Sequence, residues 1–378
     1  MTKHSNRFTK LDGLRGLLSL VVALNHSFMV VVIPAFASVW QQNPFIFHGL
    51  QSKIQQLFMF IGNGGAAVTL FFLLSGFVLG ESFSRTKMSF TGIVGFLVKR
   101  IIRLYPVYLF IVFLTAIYMK LGFDYQTFPY SSSWFNWWMN FQMTLKELFL
   151  NIFFIHAYIG GVTWTLRVVL IASIIFPLLY LINKKSTWWI DILISILLVY
   201  LSFTLLNIAG FRDLRYLYMF YFGLVIPKFK GLFSRSPNWL VSLGLPFAVI
   251  TLLGYRYLTN EYQGGLVEAT ISFIIIGLTA YGNKVSILNF LDGKTLQFLG
   301  KISYSLYLIH FSVLYILARL MFQNLPDLPY NDQYLLIHIC LFVISTFIAI
   351  AVSYAVFKYI ELPAKTIANK VGKKISKE

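Results

Sequence analysis

Runs of apolar residues long enough to cross a bilayer decide what this chain can become. They are about 17 to 25 residues long, and a hydrocarbon core of about 30 Å takes roughly 20 helical residues to span. Inside that layer backbone N–H and C=O groups have no water to bond, so each run must close its own hydrogen bonds as a helix. Ten candidate spans follow, near residues 14–34, 66–82, 102–120, 164–182, 188–208, 214–227, 238–256, 264–282, 302–321 and 334–358. Of the 378 residues, 58% are hydrophobic and 12% charged, where a soluble domain averages about 25% charged. The expected fold is all-α and integral to a membrane: about ten transmembrane helices in one bundle. Residues 1–363 make the transmembrane domain and 364–378 a basic cytoplasmic tail. The polar, basic first ten residues, with no small-residue cleavage site after the apolar run, argue against a cleaved signal peptide.

Loop charge tests that layout. Lys and Arg concentrate in cytoplasmic loops. With the N-terminus inside, about three in four of the Lys and Arg residues that lie outside the spans fall in inside segments, alternating correctly across every loop. Both termini are then cytoplasmic. The net charge of +18 is mostly this topology. Anionic lipid head groups and the phosphates of a cofactor are its expected partners, and nucleic acid is not. Cys340, in an apolar run, has no internal disulfide partner and reads as a buried small residue.

The expected outside segments 35–65 and 121–163 hold Trp40, Trp134, Trp137 and Trp138. Such residues lie flat at the membrane interface, or they floor a site for a sugar, since aromatic faces also stack on pyranose rings. With only a basic tail expected after the last span, chemistry must happen within the bundle.

The first span contains Asp12, Arg15 and Asn25-His26-Ser27. Arg15 and His26 are eleven residues apart, close to three helical turns, so they share a face about 16 Å apart along the axis. Ionisable groups within a span are costly and face the protein interior or a wet cavity. A hydrogen-bonded core histidine beside an entry-level arginine fits the spacing equally. Arg100 and Arg103, three apart beside Lys99, share a helix face. Planar guanidinium groups grip phosphate bidentately, although the inside-loop rule also puts basic residues there. Ser75-Gly76 lies deep in a span, where small residues permit close packing or leave a passage for an acyl chain. Ser303, Tyr307 and His310 fall on one face of the ninth span, as cavity lining or as a core network. His48, His156 and His338 receive no role, and no metal-ligand spacing is present.

Leu11-Asp12-Gly13-Leu14-Arg15-Gly16 followed by His26 resembles the opening of the acyltransferase-3 family, polytopic membrane O-acyltransferases that modify bacterial envelope glycans. Further segments resemble the family in order: Gly64-Gly65; Phe71 to Phe77, with Ser75-Gly76; Lys99 to Pro106; Trp164-Thr165-Leu166-Arg167; Tyr304 to His310; and Glu361-Leu362-Pro363. The resemblance spans nearly the whole chain. It implies a multi-pass protein of the bacterial inner membrane that moves an acyl group, acetyl foremost, from acyl-CoA to a glycan or lipid-linked sugar. It implies catalysis by His26 with Arg15 and Asp12. Cofactor contacts fall to Arg100, Arg103, Lys99, Ser75 and Gly76, and substrate contacts to Trp164, Arg167, Tyr307 and His310. The co-substrate is acyl-CoA, with no metal. Two positions depart from the family pattern: Val169 stands where a glutamate is usual, and Thr69 near the usual acid of the second span. A solute transporter or flippase, and a degenerate subunit that binds without catalysing, are the rival functions.

Overall fold

The computed structural model describes residues 8–33, 49–86, 88–205, 208, 211–259, 261–282 and 285–375. Trp40 and His48, with Lys3, Arg7, Lys87, Lys284 and Lys377 of the charge pattern, lie outside them. Helices carry the fold: α1 (Thr9–Ser27), α2 (Leu50–Ile61), α3 (Gly64–Phe83), α4 (Phe90–Leu121), α5 (Ser133–Trp137), α6 (Leu145–Ile152), α7 (Thr163–Lys185), α8 (Trp188–Leu205), α9 (Leu217–Val225), α10 (Lys230–Arg235), α11 (Asn238–Leu258), α12 (Glu261–Tyr281), α13 (Lys294–Asn324), α14 (Tyr334–Val356) and α15 (Leu362–Ile375). No β-strand occurs among the described residues; one isolated bridge joins Val31 to Ser131.

Seven helical stretches are long and apolar enough to cross a membrane: Leu50–Phe83, Phe90–Leu121, Thr163–Lys185, Asn238–Leu258, Gly264–Tyr281, Lys294–Asn324 and Tyr334–Ile375. The other expected spans differ for identifiable reasons. α1 is apolar in its second half, but Lys10, Asp12 and Arg15 occupy its first two turns. The sixth expected span breaks into a 3-10 turn (Arg212–Tyr216), α9 and a second 3-10 turn (Ile226–Phe229). Pro227 starts that last turn, where its fixed φ suits a helix entry and its missing N–H costs nothing. Cys340 is exposed on α14 rather than buried, on the apolar surface that a membrane helix turns to lipid.

Two close helix crossings set the frame. A Cβ on Gly16 would lie 2.7 Å from the Leu296 carbonyl oxygen, and one on Gly300 only 2.0 Å from that of Asp12. α1 and α13 therefore run in parallel with their backbones nearly touching, as small residues allow in membranes. α3 crosses α9 the same way: a Cβ on Gly76 would meet the Phe220 carbonyl oxygen at 2.0 Å, and one on Gly223 that of Leu73 at 1.9 Å. Around these crossings Phe72, Phe77, Phe83, Phe176, Phe220 and Tyr221 fill the main core. α14 runs through a π-turn at Phe357–Glu361 into α15, which packs along α4, with Gly372 against the backbone of Gly95. The π-turn is an insertion of the kind found at functional positions, and it turns Glu361 inward.

Candidate active site

Two cavities occupy the bundle, one above the other. The first, about 960 Å³ including its open mouth, lies near the end where α1 and α4 begin. Arg15 from α1, Arg100 and Arg103 from α4, and Glu361 from the π-turn line it, with Ser75, Val169, Ser303, Tyr304 and Tyr307. Glu361 is the one acid on this wall among the described residues. It is engaged elsewhere, with Lys365 at 2.5 Å and the Ser305 hydroxyl at 2.6 Å. Arg100 Nε donates to Ser173 Oγ at 3.2 Å, and Ser173 in turn donates to the Val169 carbonyl at 2.6 Å. Three guanidinium groups thus face one cavity with a single acid among them, already paired. An incoming anion with several oxygens is the chemistry that satisfies such a site. Val169 lines it from α7, one helical turn from Ser173, so the usual glutamate is missing from the wall where Arg100 stands.

The second cavity, about 1350 Å³ including its open mouth, lies toward the opposite end. Its walls include Asn25, His26, Trp134, Trp138, Trp164, Tyr216, Arg256 and Tyr307. Val68, Phe72 and Tyr307 line both cavities, so the two adjoin at these three residues, which we call the neck. Tyr307 lies one turn before His310, with ring centroids 5.9 Å apart.

The parallel crossing of α1 and α13 brings His26 and His310 together from 284 positions apart, His26 Nδ1 lying 3.1 Å from His310 Nε2. The hydrogen positions follow from the neighbours. His310 Nδ1 is 3.2 Å from the Leu306 carbonyl, which only accepts, so Nδ1 carries the proton. In the neutral ring Nε2 is then an acceptor, and His26 Nδ1–H donates to it. The lone pair of His26 is left on Nε2. Trp134 and Phe311 pack against the His26 ring at centroid distances of 5.3 and 5.7 Å. The outcome is an imidazole with one fixed tautomer and one basic nitrogen, on the wall of a cavity.

The remaining expected site residues fall in other places. Lys99 lines a surface groove of about 1320 Å³ with Arg85, Asn369 and Lys373, adjoining the first cavity at Val78. Gly76 lies in the α3–α9 crossing and lines neither cavity. Arg167 is ion-paired with Asp213 at 2.6 Å and donates to the Ile155 carbonyl, tying α7 to the 3-10 turn after α8 and to the loop that precedes α7. Asp12 packs its carbonyl on Gly300 and is absent from both cavity walls.

Sequence reading passed over a further group. Arg256 of α11 and Glu268 of α12 pair through Nε–Oε1 at 2.8 Å and Nη2–Oε2 at 2.5 Å. Thr69 Oγ1 donates to the same carboxylate at 3.1 Å. A carboxylate thus stands beside Thr69 after all, supplied by another helix. The signal was an acid within an apolar run, which is rarely placed there without a partner. Outside the spanning helices, Glu147 accepts from Tyr158 and bonds His156 at 2.9 Å, fastening the hairpin after α6. Burial pushes the Glu147 carboxyl up, but the bonds from Tyr158 and His156 outweigh it and hold the group below the usual carboxylate range.

A family profile described as an acyltransferase domain matches residues 8–358. No curated protein and no solved structure matches the chain.

Proposed function

The chain belongs to the acyltransferase-3 family, a membrane acyltransferase by that membership, and we propose that it carries an acyl group from cytosolic acyl-CoA to a hydroxyl of an envelope glycan or lipid-linked sugar. Ten crossings, with both chain ends at the cytoplasmic face of a bacterial inner membrane, complete this reading. α1, α8 and the 212–229 helical run then join the seven longer spans.

The arginine cavity receives the donor. Its three guanidinium groups suit the diphosphate of CoA, and the groove with Arg85, Lys99 and Lys373 suits the nucleotide end. The pantetheine arm enters the arginine cavity and brings the thioester to the neck at Tyr307. The acceptor occupies the aromatic cavity, where Trp134, Trp138 and Trp164 offer faces to sugar rings.

Chemistry follows from the tautomer. His26 Nε2 takes the proton of the acceptor hydroxyl while its oxygen attacks the thioester carbonyl carbon. Positive charge that forms on His26 is shared through Nδ1–H with His310, whose own Nδ1–H is held by Leu306. Collapse of the tetrahedral intermediate breaks the C–S bond, and the proton on Nε2 passes to the departing thiolate. The products are an O-acyl ester and CoA thiol. Imidazole serves both steps because the same ring nitrogen can take up the proton and return it. An acetyl group is the acyl group proposed, as the family resemblance implies.

The observation that carries the reading is a basic imidazole nitrogen on the wall of the aromatic cavity, which adjoins an anion-suited cavity at Val68, Phe72 and Tyr307. The test is membranes containing the protein incubated with radiolabelled acetyl-CoA. Label on lipid-linked or polymeric sugar with the wild type, and none with His26→Ala inserted at an equal level, is the expected result. No transfer from any short acyl-CoA in the presence of native envelope glycans would overturn it.

A further inference from the structure

His338 of α14 is fully buried, lines neither cavity, and has no part in the chemistry above. It stands against the stretch of chain that follows His26. Its Nε2 lies 3.1 Å from the Val31 backbone nitrogen and its Nδ1 3.2 Å from Gln55 Oε1. A backbone N–H only donates, so Nε2 holds the lone pair; in the neutral ring Nδ1 then carries the proton and donates to Gln55. Gln55, also fully buried, donates from Nε2 to the Phe28 carbonyl at 3.1 Å. A directed chain of three bonds thus leaves the backbone at Val31 and returns to it at Phe28.

That stretch needs holding. α1 ends at Ser27, one residue after His26, and the last four carbonyls of a helix have no partner within it. The Met29 N–H reaches back to the His26 carbonyl at 3.2 Å, so the turn over residues 28–31 bears directly on the His26 backbone. The ring of His338 stacks on Phe28 in the same turn, with centroids 5.4 Å apart. From another side Ser132 bonds the turn, its N–H to the Val30 carbonyl at 2.9 Å and its hydroxyl to the Met29 carbonyl. Ser132 caps α5, whose Trp134 packs on the His26 ring.

We propose that His338 is a positioning residue for His26: with Gln55 it fixes the turn that ends α1, and through that turn the imidazole that moves the proton. The inference rests on the acyltransferase reading above. Proton transfer tolerates little misplacement, and a shift of about 1 Å caused far from the reacting atoms costs roughly 100-fold in rate.

Two substitutions separate bonding from bulk. His338→Phe keeps a ring against Phe28 but strands the buried Val31 N–H and the Gln55 carboxamide. His338→Gln has one acceptor and one donor to offer the same two partners. Protein in nanodiscs is given radiolabelled acetyl-CoA and native envelope glycans, and sites are counted as acetyl-CoA bound at saturation by calorimetry. His338→Phe should lower kcat per acetyl-CoA site by roughly 10- to 100-fold, with the acetyl-CoA KM unchanged, and His338→Gln should recover most of that loss. A merely structural role predicts the reverse, fewer acetyl-CoA sites and an unchanged kcat at each. That result, or a glutamine variant no faster than the phenylalanine one, overturns the inference, while transfer by the wild type upholds the acyltransferase reading. Should His338→Phe fail to insert, Gln55→Met breaks the chain at its other link and is held to the same two outcomes. No transfer by the wild type overturns both.

Discussion

The two cavities share a neck but are built on opposite principles. The arginine cavity gathers charge: Arg15, Arg100 and Arg103 come from two helices, and its one acid is held by Lys365. The aromatic cavity gathers faces, from Trp134, Trp138, Trp164 and Tyr216, and its charged pair Arg256–Glu268 is internally satisfied. A site where guanidinium groups converge suits an invariant, highly charged ligand. A site of aromatic faces and a few directed polar atoms suits a neutral, polyhydroxylated one. The difference teaches how one bundle can present two adjoining cavities of unlike chemistry.

Substitutions on the two sides should separate the substrates. The largest effect belongs to His26. His26→Ala should lower acyl transfer by about 10³-fold, within the range for a lost general base, while acetyl-CoA binding measured by calorimetry stays within twofold. His310→Ala removes the group that fixes the tautomer of His26. It should cost roughly 10²-fold in kcat, again without moving either KM, and equal loss of donor affinity would break the division of labour. Arg100→Ala should act on the donor alone. Loss of a charge-assisted contact worth about 1.5–3 kcal/mol corresponds to a rise of roughly tenfold or more in the acetyl-CoA KM, with acceptor KM unchanged. Gly76→Ala touches neither cavity wall, yet it forces α3 from α9. It should destabilise by about 1–3 kcal/mol, read as a lower melting temperature in detergent with near-normal KM values.

The smallest effect concerns the outer hairpin. The Glu147 carboxyl is held low by Tyr158 and His156, so its stabilising contribution is present above the ordinary carboxylate pKa and lost as pH falls through the lowered one. Glu147→Gln should flatten the acid limb of the wild-type thermal stability profile. An unchanged acid limb would remove this cluster from the account of the hairpin.

Much of the fold was legible because a membrane span writes itself as one long apolar run. Even so, α1 was legible only through its second half, since Arg15 and Asp12 interrupt the run in its first turns. The span around α9 reads as one smooth apolar run in the sequence but is broken in the structure, because Pro227 and the polar Arg212-Asp213 edge act through 3-10 turns that hydropathy does not register. Within the site, the shared helix face of Arg15 and His26 was readable from period alone. The contact between His26 and His310 was not, because it depends on Gly16 and Gly300 letting two helices touch across 284 positions. For the same reason Gly76, adjacent to cavity-lining Ser75, turned out to face Phe220: neighbours on a helix point about 100° apart. Glu268 was missed because its partners, Thr69 and Arg256, lie on two other helices.

The central claim is that donor and acceptor enter from opposite faces and meet at His26. Oriented proteoliposomes, with acetyl-CoA supplied on one face only and acceptor on both, test it most directly. The account expects ester formation when acetyl-CoA is present on the face that carries the start of α1 and the end of α15, and none when it is present only on the other. Equal transfer from either face, or transfer only from the face of the aromatic cavity, would contradict it.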